Sequence, residues 1–318
     1  MHLVVVVVPP VVWGCGAGHA PTLVGRCGTI AAMGQVAPPG GLTAFVLGGG
    51  GRLGAAEVGM LRALFDAGIR PDLLVGTSIG AVNGAVVACD PTPAAVDRLE
   101  RLWRDVDSTG VFGGSIVDRI RQLAATRTSL HSDEPLRRLL RDVLERELIE
   151  DLPVRFQCVA ACIETATARW FTHGPLVDAV LASCAVPGLL PVVEIDGFHY
   201  LDGGIVDSVP VQRAVSQGAT TVHVLQVGRI EEPLRPPRLP HEVAMVAFEI
   251  ARRSSFASAM EELPDGVDVH VLPTGGTAPR FGDLRQFRYR DFSDVAARIE
   301  TARAATEEYL YDRGLVRT

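Results

Sequence analysis

Lysine is absent from this chain of 318 residues: all 30 basic side chains are arginines, against 37 acidic ones, for a formal net charge of −7. Without a basic footprint, nucleic-acid binding is set aside. Arginine in place of lysine, with abundant Ala, Val and Gly, fits the codon usage of a GC-rich bacterial genome. No C-x-x-C pair occurs among the six cysteines at 15, 27, 89, 158, 162 and 184, and no Cys/His cluster has zinc spacing. They read as buried or free thiols of a reducing compartment, so the expected location is cytoplasmic. Cys158 and Cys162 would share one face of a strand without bridging. Also missing is an apolar run of the ~20 residues with which a helix crosses a bilayer. The valines at 4–8 are cut short by Pro9 and Pro10, and only His2 stands where a signal peptide needs Lys or Arg. Residues 1–40 are therefore expected to be a leader, disordered or read from a start placed too far upstream, with Met33 as the natural start.

What the chain does have is 47% hydrophobic residues, enough for one large domain over 41–318. Leu42 to Leu47 reads as a buried strand closed by four glycines, and Ala55 to Ala67 as a helix with Val58, Leu61, Leu64 and Phe65 on one face. The theme repeats, with a strand at Asp72 to Val75, a turn at Gly76 to Gly80 and a small-residue helix at Ala81 to Ala88. This βαβα order predicts a three-layer α/β/α fold on a mainly parallel sheet. Helices are expected at 93–106, 134–148, 176–183, 242–260 and 295–311, and strands at 155–163, 221–227 and 267–272. Asp196-Gly197 marks a hairpin joining 192–195 to 198–201. The apolar, glycine-containing stretch Val111 to Val117, within residues 107–132, reads as a packed loop or as a lipid-facing lid.

Gly76-Thr77-Ser78-Ile79-Gly80 fits G-x-S-x-G, in which flanking glycines let the chain turn sharply from strand to helix and expose a serine. With 33 glycines the pattern arises by accident in about one chain in eight of this composition, so its weight comes from the strand before it and the small residues after it. Gly49-x-Gly51-x-x-Gly54 also fits a dinucleotide fingerprint. That reading wants an acidic residue at the end of the second strand, whereas Asp72 stands at its beginning and the serine elbow follows it. Beside a nucleophile, the same loop offers backbone N–H groups to a developing oxyanion.

A serine nucleophile needs a base. Of eight histidines, at 2, 19, 131, 173, 199, 223, 241 and 270, none lies in a glycine-rich late loop; His173, before Gly174-Pro175, is best placed and reads first as a surface-turn residue. Asp202 ends a hairpin strand and is followed by two glycines that let its carboxylate approach another loop. Strand alternation turns His199 to the face opposite Asp202.

These residues resemble the patatin-like phospholipases, whose pattern is a G-G-G-x-[R/K]-G loop, a G-x-S-x-G elbow and a D-G-[G/A] motif in that order. Here they are Gly49-Gly50-Gly51-Arg52-Leu53-Gly54, Gly76 to Gly80 and Asp202-Gly203-Gly204. Ala182-Ser183-Cys184-Ala185-Val186-Pro187 is similar to the family's A-S-x-x-x-P segment. The chain departs from the pattern at Leu53, where the family has a basic residue. The resemblance implies a Ser-Asp dyad, with Ser78 as nucleophile and Asp202 as base, and an oxyanion hole of the Gly49, Gly50 and Gly51 amides. It also implies a lipid or acyl-ester substrate, no metal, no cofactor, and peripheral contact with the inner membrane face. Basicity in Asp202 near neutral pH would require a dry site. Two rivals stand beside this reading: a catalytically silent lipid-binding module of the same fold, and a general esterase or thioesterase that uses a distant histidine.

Overall fold

The computed structural model describes residues 41–105, 132–187, 189–227, 234, 236–237, 240–275 and 295–316, all within a compact unit spanning Ala37–Thr318. The leader expected at 1–40 lies outside the described residues, as does the lid expected at 107–132 apart from Ser132. In chain order the elements are β1 (Leu42–Leu47), α1 (Ala55–Asp66), β2 (Leu73–Thr77), α2 (Ile79–Cys89), α3 (Pro93–Asp105), α4 (Glu134–Val143), β3 (Arg155–Cys162), β4 (Thr167–Phe171), α5 (Leu176–Ser183), β5 (Val193–Ile195), β6 (Phe198–Asp202), α6 (Val211–Ser216), β7 (Ala219–Leu225), α7 (Pro240–Glu261), β8 (Asp268–Val271) and α8 (Val295–Asp312).

The strands form one sheet in the order β5-β6-β3-β2-β1-β7-β8, with β4 also on β3. The five strands β3-β2-β1-β7-β8 run parallel, β4 and β6 pair antiparallel with β3, and β5 pairs antiparallel with β6. The period-2 alternation of β1 explains the layers. Phe45 and Leu47 face a core built with α1, α2, α3, α5 and α8, whereas Ala44 and Val46 face a second core closed by α6 and α7. Strands covered on both faces read as nearly continuous apolar runs, as β1 and β2 do apart from Thr43 and Thr77. Among the described residues no helix is long and apolar enough to cross a membrane.

Three elements depart from the sequence reading. Strand β4 was not anticipated; Thr167, Ala168 and Arg169 are exposed, so it lacks the apolar face that would have marked it. The six-residue α6 is too short to show a period. Helix α4 ends at Val143 rather than 148, because the following backbone pairs elsewhere: the Ile149 amide donates to the Gly174 carbonyl and the Leu176 amide to the Glu147 carbonyl.

One detail of register positions the site. Cys158 pairs with both β2 and β4, and Ala160 with both β4 and β6, so β2 and β6 lie on the same edge of β3. Strand β2 occupies Arg155 to Val159 and stops at Thr77; β6 takes over at Ala160, opposite Asp202. Residues far apart in sequence, Ser78 and Asp202, therefore meet where the two strands abut.

Candidate active site

Ser78 is the single residue between β2 and α2, and it carries a positive φ of 55°. A non-glycine side chain in that region is strained and persists only when its surroundings hold it. The hold comes from close packing on either side. A Cβ on Gly76 would lie 2.6 Å from the Ala81 backbone, and one on Gly80 would lie 2.3 Å from the Leu47 carbonyl oxygen. Helix α2 thus sits against β2 and β1 at a distance only glycine permits. The sequence reading gave the turn to all of 76–80, but strand pairing continues through Thr77 and the helix begins at Ile79.

The Ser78 hydroxyl donates to Asp202 Oδ2 at 2.6 Å, within the range of a charge-assisted O–H···O bond. The other carboxylate oxygen, Oδ1, accepts from the Gly204 amide at 2.7 Å. Both residues are buried, and burial pushes the Asp202 carboxyl up to about 6 against the lowering effect of those two hydrogen bonds. The glycine after Asp202 is required by space, since a Cβ on Gly203 would stand 2.2 Å from the Val159 carbonyl oxygen.

Facing this pair is the loop after β1. Its Gly48 amide donates to the Leu225 carbonyl and its Gly49 amide to the Ser208 carbonyl at 2.9 Å. The expectation that Gly49, Gly50 and Gly51 all offer amides is thereby corrected at Gly49, whose N–H is taken because the loop leaves β1 still tied to its neighbours. Gly50 and Gly51 donate to no acceptor among the described residues. Gly49 lies beside the nucleophile: a Cβ built on it would be 3.5 Å from the Ser78 Cβ and 3.4 Å from the Ser208 hydroxyl. Leu53, at the family's basic position, packs partly buried against the core.

Four of the histidines have other partners. His199 Nδ1 is 2.6 Å from Glu164 Oε1 and exposed, on the side of β6 away from Asp202; His173 meets Thr172; His223 and His270 stack on each other with ring centroids 5.1 Å apart. Among the described residues no cluster of His, Cys, Asp or Glu is arranged to hold a metal ion.

Sequence reasoning missed two features around the site. The Ser78 amide donates to the Ser183 hydroxyl at 2.9 Å; Ser183 belongs to the A-S-x-x-x-P segment, which drew attention to the region without giving this residue a task. Behind the glycine loop, Glu57 is completely buried. Its Oε2 accepts from Asn83 Nδ2 at 2.7 Å, Asn83 Nδ2 also donates to the Gly54 carbonyl, and Asn83 Oδ1 accepts from Trp103 Nε1. The signal was available: Glu57 lies four residues before Leu61 and seven before Leu64, on the apolar stripe of α1.

Residues 45–215 match the family model described as patatin-like phospholipase. The patatin-like phospholipase domain-containing protein ZK370.4 of Caenorhabditis elegans is 35% identical over 197 residues, covering 61% of this chain and 14% of that protein. Lysophospholipase nte1 of Aspergillus terreus is 32% identical over 187 residues, covering 59% of this chain and 12% of that protein. The chain thus spans about one seventh of the length of these curated relatives. The ExoU–SpcU complex of the Pseudomonas aeruginosa type III secretion system is similar at 20% identity and a TM-score of 0.42, covering 86% of this chain and 52% of that chain.

Proposed function

The chain belongs to the patatin-like phospholipase family, and from that membership we propose that it is a serine lipid acyl hydrolase in which Ser78 is the nucleophile and Asp202 its only side-chain base. The observation that carries this reading is the buried 2.6 Å hydrogen bond from the Ser78 hydroxyl to Asp202 Oδ2. In the reaction, Ser78 Oγ attacks the acyl carbonyl as Asp202 takes its proton. The Gly50 and Gly51 amides, with the amide of Ile79 at the start of α2, are the donors proposed for the oxyanion. Collapse of the tetrahedral intermediate expels the alcohol, which receives the proton from Asp202. Water, deprotonated by Asp202, then attacks the acyl-enzyme, and collapse of the second intermediate releases the fatty acid as Asp202 returns the proton to Ser78 Oγ.

The substrate class proposed is glycerophospholipid or lysophospholipid, with a relative named as a lysophospholipase in support. Exposed Ile163, Val192 and Phe198 favour peripheral contact with a lipid surface. Phe198 starts the strand that ends at Asp202 and lies past the end of β3, on the side of the sheet to which β2 delivers Ser78.

Labelling of the purified protein by a fluorophosphonate probe, followed by a screen of lipid classes, tests the proposal. Labelling is expected in the wild type and lost in Ser78→Ala. A wild type that folds but takes no label would be a silent lipid-binding module. Against the histidine-dependent esterase stands the engagement of His173, His199, His223 and His270 elsewhere.

A further inference from the structure

Both halves of the proposed dyad hang from one short segment. At the end of α5 the Ser183 hydroxyl accepts the Ser78 amide at 2.9 Å, and two residues later the Ala185 carbonyl accepts the Asp202 amide, also at 2.9 Å. The segment is itself tied down. The Cys184 amide bonds the Val180 and Leu181 carbonyls, the Ala185 amide bonds the Ala182 carbonyl, and Ser183 is completely buried. The Ser78 amide has particular need of such a partner. A positive φ takes it off the β2 ladder, it precedes the first turn of α2, and it points into a dry interior where an unpaired N–H is costly.

We infer that Ser183 is a positioning residue: its hydroxyl holds the strained elbow and, through the rigid link to Ala185, sets the separation between the Ser78 hydroxyl and the Asp202 carboxylate. The inference rests on the dyad reading above. Without the Ser183 hydroxyl the elbow relaxes, the bond from Ser78 to Asp202 lengthens, and proton transfer slows while ester binding is left alone. A second effect follows. The hydrogen bond from Ser78 lowers the pKa of Asp202 against burial, so slackening it moves the acid limb of kcat/KM to higher pH. The titratable neighbour of Asp202 in this segment is Cys184, whose thiol burial pushes well above its usual range, so it stays neutral across that limb.

The experiment compares wild type, Ser183→Ala, Ser183→Cys and Ser183→Thr as full chains on a p-nitrophenyl acyl ester. Competent sites are counted by fluorophosphonate titration, so that kcat refers to folded, labelled enzyme. For Ser183→Ala, and for Ser183→Cys, which keeps a γ atom in place but is a weak acceptor, kcat per titrated site is expected to fall about 10- to 100-fold. KM should stay within about twofold and the acid limb should rise. Ser183→Thr, which keeps the oxygen, should recover most of the loss. If Ser183→Ala does not fold, the Cys variant carries the comparison. Wild-type kcat per titrated site in the Ala or Cys variant, or an unmoved acid limb, overturns the inference while leaving the dyad standing. A wild type that neither turns over ester nor takes the label instead overturns the reading on which it rests.

Discussion

Asp202, where β2 and β6 abut, and Glu57, beneath the glycine loop, are both buried carboxyl groups, and burial raises both above the ordinary carboxylate range. Their partners differ. Asp202 accepts from the hydroxyl of a strained serine, whereas Glu57 accepts from a carboxamide that is itself fixed to the Gly54 carbonyl and Trp103. A hydroxyl can give up its proton and form an acyl bond; a carboxamide cannot. Raised basicity therefore marks burial in both places, and the atom set against the carboxyl decides whether it becomes chemistry. The same caution applies to Asp207, which burial also pushes up to about 6 although its own bond is to the Val209 amide.

The comparison breaks most readily on activity. Ser78→Ala and Asp202→Asn should each lower kcat/KM for a p-nitrophenyl ester by at least about 10²–10⁴-fold, and the double variant should be little worse than either single one. Glu57→Gln, which keeps size and the bond from Asn83, should stay within about threefold of wild type. Equal losses at both positions would erase the distinction. Next in size is the pH profile: kcat/KM should fall about tenfold per pH unit below about 6, the value to which burial brings Asp202. A flat profile down to pH 5 would exclude Asp202 as the titrating base.

Stability gives a third contrast, opposite in sign to that of an ordinary salt-bridged carboxylate. A group whose pKa is raised on folding binds protons more tightly in the native state, so stability falls as pH rises from the unfolded value through the folded one. For Asp202 that window runs from 3.8 to about 6; for Glu57 it begins at 4.5 and extends upward. Asp202→Asn should accordingly stabilise the inactive protein at neutral pH by on the order of 1–3 kcal/mol, measured by urea unfolding. Adding Glu57→Gln should flatten what pH dependence persists above about 6. The smallest effect belongs to His199→Ala. This exposed side chain is held by Glu164, so kcat should keep at least about a tenth of its value and Tm should barely move. A hundredfold loss of kcat with normal melting would put a histidine into the mechanism.

Much of this was legible in the sequence. Glycine clusters and period-2 or period-3.6 apolar spacing report local geometry, which is why β1, α1, the Asp196-Gly197 hairpin and the elbow could be read directly. Asp196 and Gly197 do take the positive φ that such a two-residue turn needs. What escaped depends on contacts between distant segments. Gly49 looks the same as Gly50 along the chain, and only the approach of Ser208 shows that its amide is spent. Ser183 reads as a small residue at a helix end until Ser78 is folded against it. Strand β4 exists because β3 has an edge to fill, not because Thr167–Phe171 insists on being a strand.

That edge logic reaches further on the other side of β3. The strand offers eight residues there, of which β2 takes the first five and β6 the last three, with none left over. The two strands are competitors for a ruler of fixed length. Lengthening β2 by one residue could be accommodated only by pushing β6 back by one, which would carry Asp202 about 3.3 Å along β3, away from the Ala185 carbonyl that accepts its amide, and flip its side chain to the other face. Insertions and deletions of the kind a surface turn tolerates should thus be forbidden between Leu73 and Ser78 and between Phe198 and Asp202, where the protein keeps count of residues as well as of their identities.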